Sequence, residues 1–320
     1  MDPYLLLRAI GFLLLVIIGI PGNIFIMMRF TYLRIIEKKL LPTNIILMAL
    51  ALVNLLVILS RIIPQSINAL GVEELLDDTE CKFVIFFYRV NRAMSICLTS
   101  FLSCYQCILI APNTKLWNYF KHNVTQNIVA IIFLFWIINI AIYPYSILNA
   151  RTRRNQTTSP YTLHLVYCDA DFLNYMAYIV NGAIYSCRDF IFVGLMVLAS
   201  SYIVYKLLSH EKSVKGIRSS DRTQQRSVEY RASRAVILLV ALYVLLYGLD
   251  NCMWIYTLTL SNVTPSMNEI RIFLASSYSS LSPIVIIITN PKLQQKLVSC
   301  NRERNRCSEI NGQVYSIKTF

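Results

Sequence analysis

The chain has 320 residues, of which 56% are hydrophobic and only 15% charged, against about 25% charged in an ordinary soluble domain. That profile excludes a soluble globular protein and points to a membrane protein. The formal charge of +13 would suit a nucleic-acid surface only if the basic residues were not sorted to one side of a membrane, so their positions decide.

Seven apolar windows of about 20 residues, the length that crosses about 30 Å of hydrocarbon, follow one another along the chain. The first, 5–28, begins directly after MDPY. It lacks a basic leader and a small-residue cleavage site, so it reads as a transmembrane helix and not a cleaved signal. The GIPGN segment inside it is no phosphate loop, because no strand precedes it. The second window is 43–63. A connection at 64–80 follows, with five acidic residues (Glu73, Glu74, Asp77, Asp78, Glu80) and no basic one.

The third window, 81–110, carries Arg89 and Arg92 three residues apart, which turns both to one helix face. At 1.5 Å per residue from Cys81 they lie about 12 and 16 Å deep. The fourth is 125–148. Beyond it a loop carries an Asn155-Gln-Thr157 sequon and Cys168. The fifth window, 175–208, holds Arg188 and Asp189, the latter about 18 Å from the outer end. The sixth, 233–258, holds Asp250 about 13 Å deep, and the seventh is 268–290.

Orientation follows from the basic residues. The segments 29–42, 111–124, 206–234 and 292–320 hold 20 lysines and arginines, whereas the alternate loops hold Arg151, Arg153 and Arg154. The rich side is cytoplasmic, so the N-terminus is expected outside and the C-terminus inside. The basic excess is then a topological label and no nucleic-acid partner is expected. The expected architecture is an all-α seven-transmembrane helix bundle over 1–291 with a short basic cytoplasmic tail over 292–320. Seven helices with an external amino end suggest a G-protein-coupled receptor.

Charges inside a span cost about 2.5–3.5 kcal/mol each at a helix centre and usually face the bundle interior. Arg89, Arg92, Asp189 and Asp250 are expected to share one layer of the outer half. Arg89 and Arg92 either line a wet cavity and take an anionic ligand group, which a guanidinium fork matches, or pair with Asp189 or Asp250 to pin helices. Tyr88, Tyr185, Tyr256 and Tyr278 border the same layer. Against an enzyme, His122, His164 and His210 all fall in loops, so no intramembrane zinc site assembles, and the seventh window lacks the lysine of a Schiff-base pigment. No cofactor or metal is expected. Cys81 and Cys168 lie on the oxidising side, where a bridge would tie the outer loop over the bundle mouth; the alternative is two free thiols. Asn155 fits a glycan, and Cys300 and Cys307 are either palmitoylated or reduced.

Three stretches carry a family resemblance: CKFVIFFYRVNRAMSICLTSFLSCYQCILIAPNTKLW (81–117), YSCRDFIFVGLMVLASSYIVYKLL (185–208) and YRASRAVILLV (230–240). They resemble vomeronasal type 1 receptors, most of all the fish class A-related olfactory receptors. The matching positions are Arg89, Val90, Arg92, Ser95, Ile96, Cys97, Ser103, Gln106 and Pro112 in the third span. In the fifth they are Arg188, Asp189 and 194–200, and in the outer loop Asn155, Thr157, Tyr167 and Cys168. The resemblance implies a receptor in the plasma membrane of sensory neurons. It also implies that a small odorant or pheromone binds in the outer half and that an inhibitory-type heterotrimeric G protein binds inside. Because the same charged residues belong to the family pattern, they also suit shared architecture.

The chain departs from the wider rhodopsin-like class. Gln106 stands where that class has the arginine of its inner latch, SPIVI (282–286) replaces N-P-x-x-Y, and Asn54 replaces a sodium-binding aspartate. The sixth span lacks a W-x-P hinge around Asp250, Asn251 and Trp254. Asn23 and Trp136 keep the usual packing positions. The G-protein face is expected at Gln106 and along the basic inner loop with Lys206, Arg231 and Arg234, whose charge also suits anionic membrane lipids. Two rivals remain: a bitter-taste-like receptor, which generally lacks the Cys81 and Cys168 pair, and an organic-anion transporter, which should show inverted repeats.

Overall fold

The computed structural model describes residues 3–38, 40–72, 76–112, 114–144, 150–152, 162–164, 168–171, 174–214, 223–259, 265–290 and 293. Its helices are α1 (Pro3–Glu37), α2 (Pro42–Val57), α3 (Ile63–Ala69), α4 (Asp78–Ile110), α5 (Lys115–Gln126), α6 (Ile128–Ile142), α7 (Tyr175–Val214), α8 (Thr223–Thr259) and α9 (Pro265–Thr289). Among them six are long and apolar enough to cross a membrane, and seven if the bent pair α5 and α6 is one span.

Helix α4 is the hub, packed against α2, α5, α6, α7 and α8. The ring around it closes because α9 packs on both α8 and α1. Glycine makes the α1–α9 approach feasible. A Cβ at Gly19 would sit 3.0 Å from the Ser280 Cα and 2.5 Å from Ile58 Cδ1, and one at Gly22 would sit 2.9 Å from Pro283 Cβ. The GIPGN segment is thus a helix-packing device. Asn23 locks it by donating to the Gly19 and Ser279 carbonyls at 2.8 and 3.1 Å. Outward faces bear Leu7, Phe133, Phe190 and Leu198, all more than half exposed, which in a bilayer is lipid contact.

Three elements differ from the apolar windows. The second span does not stop at 63: a π-helical turn, Ile58–Ile62, joins α2 to α3, and the Ile63 amide donates to the Ile58 carbonyl. The wider turn lets the helix run on through Pro64, which would otherwise clash with the carbonyl four residues back. The fourth window divides at Asn127, whose φ of −102° and ψ of 14° leave the helical region, and α5 and α6 meet at 70°. The Asn127 side chain caps the turn by donating to the Asn123 carbonyl at 3.0 Å. The outer loop, in which the windows gave no strand, holds three short ones: β1 (Ala150–Thr152), β2 (Thr162–His164) and β3 (Cys168–Asp171), antiparallel in the order β1-β3-β2. Strands this short have too few alternating residues for a period to show.

Candidate functional site

The mouth of the bundle is organised from α4 outward. Asp77 and Glu80 close a capping box at the α4 N-terminus, with the Asp77 amide donating to Glu80 Oε2 at 3.1 Å. The acidic segment before α4 therefore starts a helix. One residue further, Cys81 is bridged to Cys168 at the head of β3, and both are fully buried. Since Thr152 of β1 pairs with Cys168, the bridge holds the whole sheet against α4.

Below this cover lies a cleft between α4, α8 and α9, lined by Arg92, Ser95, Tyr243, Tyr247, Asp250 and Tyr278 among others. Arg92 Nη2 donates to Asp250 Oδ2 at 3.1 Å, and its Nη1 reaches the Tyr88 hydroxyl at 3.5 Å. Arg271 Nε on α9 lies 3.8 Å from Asp250 Oδ1. One carboxylate thus serves two guanidinium groups in the wall of the cleft.

The floor is neutral. Ser95 donates to Asn54 Oδ1 at 2.7 Å, and Asn54 Nδ2 donates to Ser282 at 2.9 Å. Thr99 donates to the Ser95 carbonyl at 2.8 Å, which leaves its oxygen to accept from Tyr278, also at 2.8 Å. The rings of Tyr243 and Tyr278 meet edge to face at 4.9 Å.

Of the sequence candidates, Arg92, Tyr88 and Asp250 come together here. Arg89 turns toward α7, its guanidinium 5.5 Å from the Tyr185 ring centroid. Tyr185 stacks at 4.8 Å on Tyr143 of the segment after α6 and donates to Asn181 at 3.3 Å. Asp189 is held by its neighbour Arg188, which also donates to Asn139 at 3.2 Å and to the Tyr143 hydroxyl at 2.5 Å. The layer therefore splits into an α4–α8–α9 cluster and an α6–α7 cluster. On the opposite side Gln106 is buried, with Nε2 3.4 Å from the Thr43 hydroxyl. Lys206 lies 5.7 Å from the Tyr202 ring centroid, and Arg234 is exposed on α8. The backbone of Arg231 belongs to α8, while its side chain, with those of Trp254 and Tyr256, lies outside the described residues. Asn155, Cys300 and Cys307 lie outside them too.

Sequence reasoning missed four charged residues of this mouth. Arg61, in the π-helical turn, is buried and lies 5.0 Å from the Tyr88 ring centroid. Arg8 bonds Glu269 at 2.8 Å and Asn68 at 2.8 Å, joining α1, α9 and α3. Arg271 is the fourth. A charge near the end of an apolar window reads as its boundary; the signal was a lone Arg8 in the first span with a Glu269 at matching depth in the last.

A model of the vomeronasal organ pheromone receptor family matches residues 8–299. The chain belongs to that family. It is similar to olfactory receptor class A-like protein 1 of Danio rerio, 38% identical over 97% of each chain. It is also similar to vomeronasal type-1 receptor 1 of Gorilla gorilla gorilla, 28% identical over 92% of this chain and 84% of the relative, and to vomeronasal type-1 receptor 90 of Rattus norvegicus, 26% identical over 89% and 91%. Membership makes this a multi-pass chemosensory receptor of the G-protein-coupled kind, not an enzyme. It also favours the receptor over the transporter and bitter-taste readings.

Proposed function

We propose that this vomeronasal-type receptor binds a small acidic odorant or pheromone in the cleft between α4, α8 and α9 and passes the change to a G protein at the opposite end. The observation that carries it is the sharing of Asp250 by Arg92 and Arg271. A carboxylate, sulfate or phosphate on the ligand would give Arg92, which lines the cleft, an oxyanion besides the carboxylate it shares. Arg92 is the anchor, and Tyr88 holds it from behind. Arg89 and Tyr185 border the chamber on the α7 side, and Asp189 acts as the counter-ion of Arg188. Binding moves the bundle only as far as the ligand prefers the active arrangement, typically about 1–3 kcal/mol of coupling.

The chain is one receptor domain over 1–291 with a cytoplasmic tail over 292–320, its N-terminus outside. The 20 basic residues of alternate connections support that orientation. Asn155 then faces the glycosylating side. Gln106, Lys206, Arg231 and Arg234 face the G protein, of inhibitory type as the family suggests, and anionic lipids of the inner leaflet. The site of action is the plasma membrane of sensory neurons.

The test is a screen of acidic, basic and neutral odorants in cells expressing the receptor, with and without blockade of inhibitory-type G proteins. Responses confined to acids and lost on blockade are expected. A receptor answering amines alone would refute the acid reading, and two termini tagged on the same face of intact cells would refute the topology.

A further inference from the structure

Two polar clusters meet at the bundle mouth, and one residue stands between them. The outer cluster is Arg8, Asn68 and Glu269. The inner one runs from Arg61 over the Tyr88 ring to Arg92 and Asp250. Arg61, Gln65 and Asn68 follow at intervals of four and three residues, which aligns them on one face of the helix. Gln65 is fully buried, yet neither its Nε2 nor its Oε1 has a hydrogen-bond partner among the described residues. Burying an amide without partners is expensive, and such groups in folded proteins are met by water, an ion or a ligand. The π-helical turn just before it is the kind of feature that recurs at functional sites.

We propose that Gln65 is a second ligand contact, which takes the uncharged polar end of an acid whose anionic group lies at Arg92. This rests on the acid reading above and adds the class of the other end. A side-chain amide offers two donors and one acceptor side by side, so its best complement is a group with the same pair reversed, a carboxamide above all. Gln65 lies about one helical turn, about 5.4 Å, outward of Arg61. Tyr88 touches both Arg61 and Arg92, so a ligand that reaches Gln65 as well as Arg92 carries a chain between its two polar ends.

The experiment uses the full chain in a G-protein reporter assay. The probes are straight-chain carboxylates from butanoate to octanoate and, for each, the same acid with a terminal carboxamide. At one or more chain lengths the carbamoyl acid is expected to be about tenfold more potent than its plain counterpart in wild type, the worth of one well-made buried hydrogen bond pair. Gln65→Met keeps the shape and removes the unmet amide, so surface expression is held or raised, and the potency gap closes while plain acids keep their potency. The wild-type comparison stands by itself if that variant does not reach the surface. No gap in wild type, a gap that survives Gln65→Met, or silence of every carbamoyl acid would overturn the inference. Plain acids that act through Arg92 without any gap would leave the acid reading intact and assign Gln65 to an interior water only.

Discussion

Arg92 on α4 and Asp250 on α8 meet at 3.1 Å across the bundle, 158 residues apart in the chain. The pair is partly enclosed, with side chains 31% and 11% exposed. Removing one partner of a buried pair costs about 3–5 kcal/mol, an upper figure for a pair this open. Asp250→Ala takes a carboxylate from two guanidinium groups at once, whereas Arg92→Ala leaves Arg271 beside Asp250. Thermal unfolding of purified receptor is therefore expected to show the larger loss for Asp250→Ala.

At Gly19, α1 and α9 touch backbone to backbone. Gly19→Val is expected to push the helices apart and cost about 1–3 kcal/mol, as overpacking does. Gly194→Ala is the control, because a Cβ there meets nothing within 4 Å. Surface labelling of tagged receptor should fall several-fold for Gly19→Val and hold for Gly194→Ala.

The bridge from Cys81 to Cys168 spans 87 residues and fastens the outer sheet to α4. Cys168→Ser should destabilise the receptor by about 2–4 kcal/mol. Limited proteolysis of intact cells should then cut the outer loop of the variant at protease levels that spare wild type. Equal resistance would mean that the sheet is held without the bridge.

Thr99 and Tyr278 test the cleft floor by a double-mutant cycle. Tyr278→Phe loses one hydrogen bond, about 1 kcal/mol, while Thr99→Val leaves the Tyr278 hydroxyl buried without that acceptor and costs about 1–3 kcal/mol. The double variant should unfold at a temperature above the one the two single losses would give if they simply added.

Much of the fold was legible because a bilayer demands long apolar runs, and those at 5–28, 81–110 and 268–290 match α1, α4 and α9 to within helix-end extensions. Polar continuations such as 29–37 are invisible to a hydropathy window because the helix persists beyond the lipid. The continuation through Pro64 was illegible for another reason: a proline ordinarily ends a helix, and the π-helical turn that absorbs it has no sequence signal of its own. In the site, the depth argument brought Arg92 and Asp250 into one layer. Depth says nothing about azimuth, so it left open that Arg89 leans to Tyr185 of α7 and that Asp189 is held by its neighbour Arg188 on the same helix, both away from Asp250. Arg61 and Glu269 went unread because they lie near span ends.

The most direct test of the anion chamber is the potency of an acid agonist on Arg92→Ala against Arg89→Ala and Asp189→Ala, each matched to wild type in surface expression. A loss of about tenfold or more for Arg92→Ala is expected, the cost of one charge-assisted contact, with smaller shifts for the other two. Unchanged potency in Arg92→Ala would contradict direct contact and return the arginine to a purely architectural role.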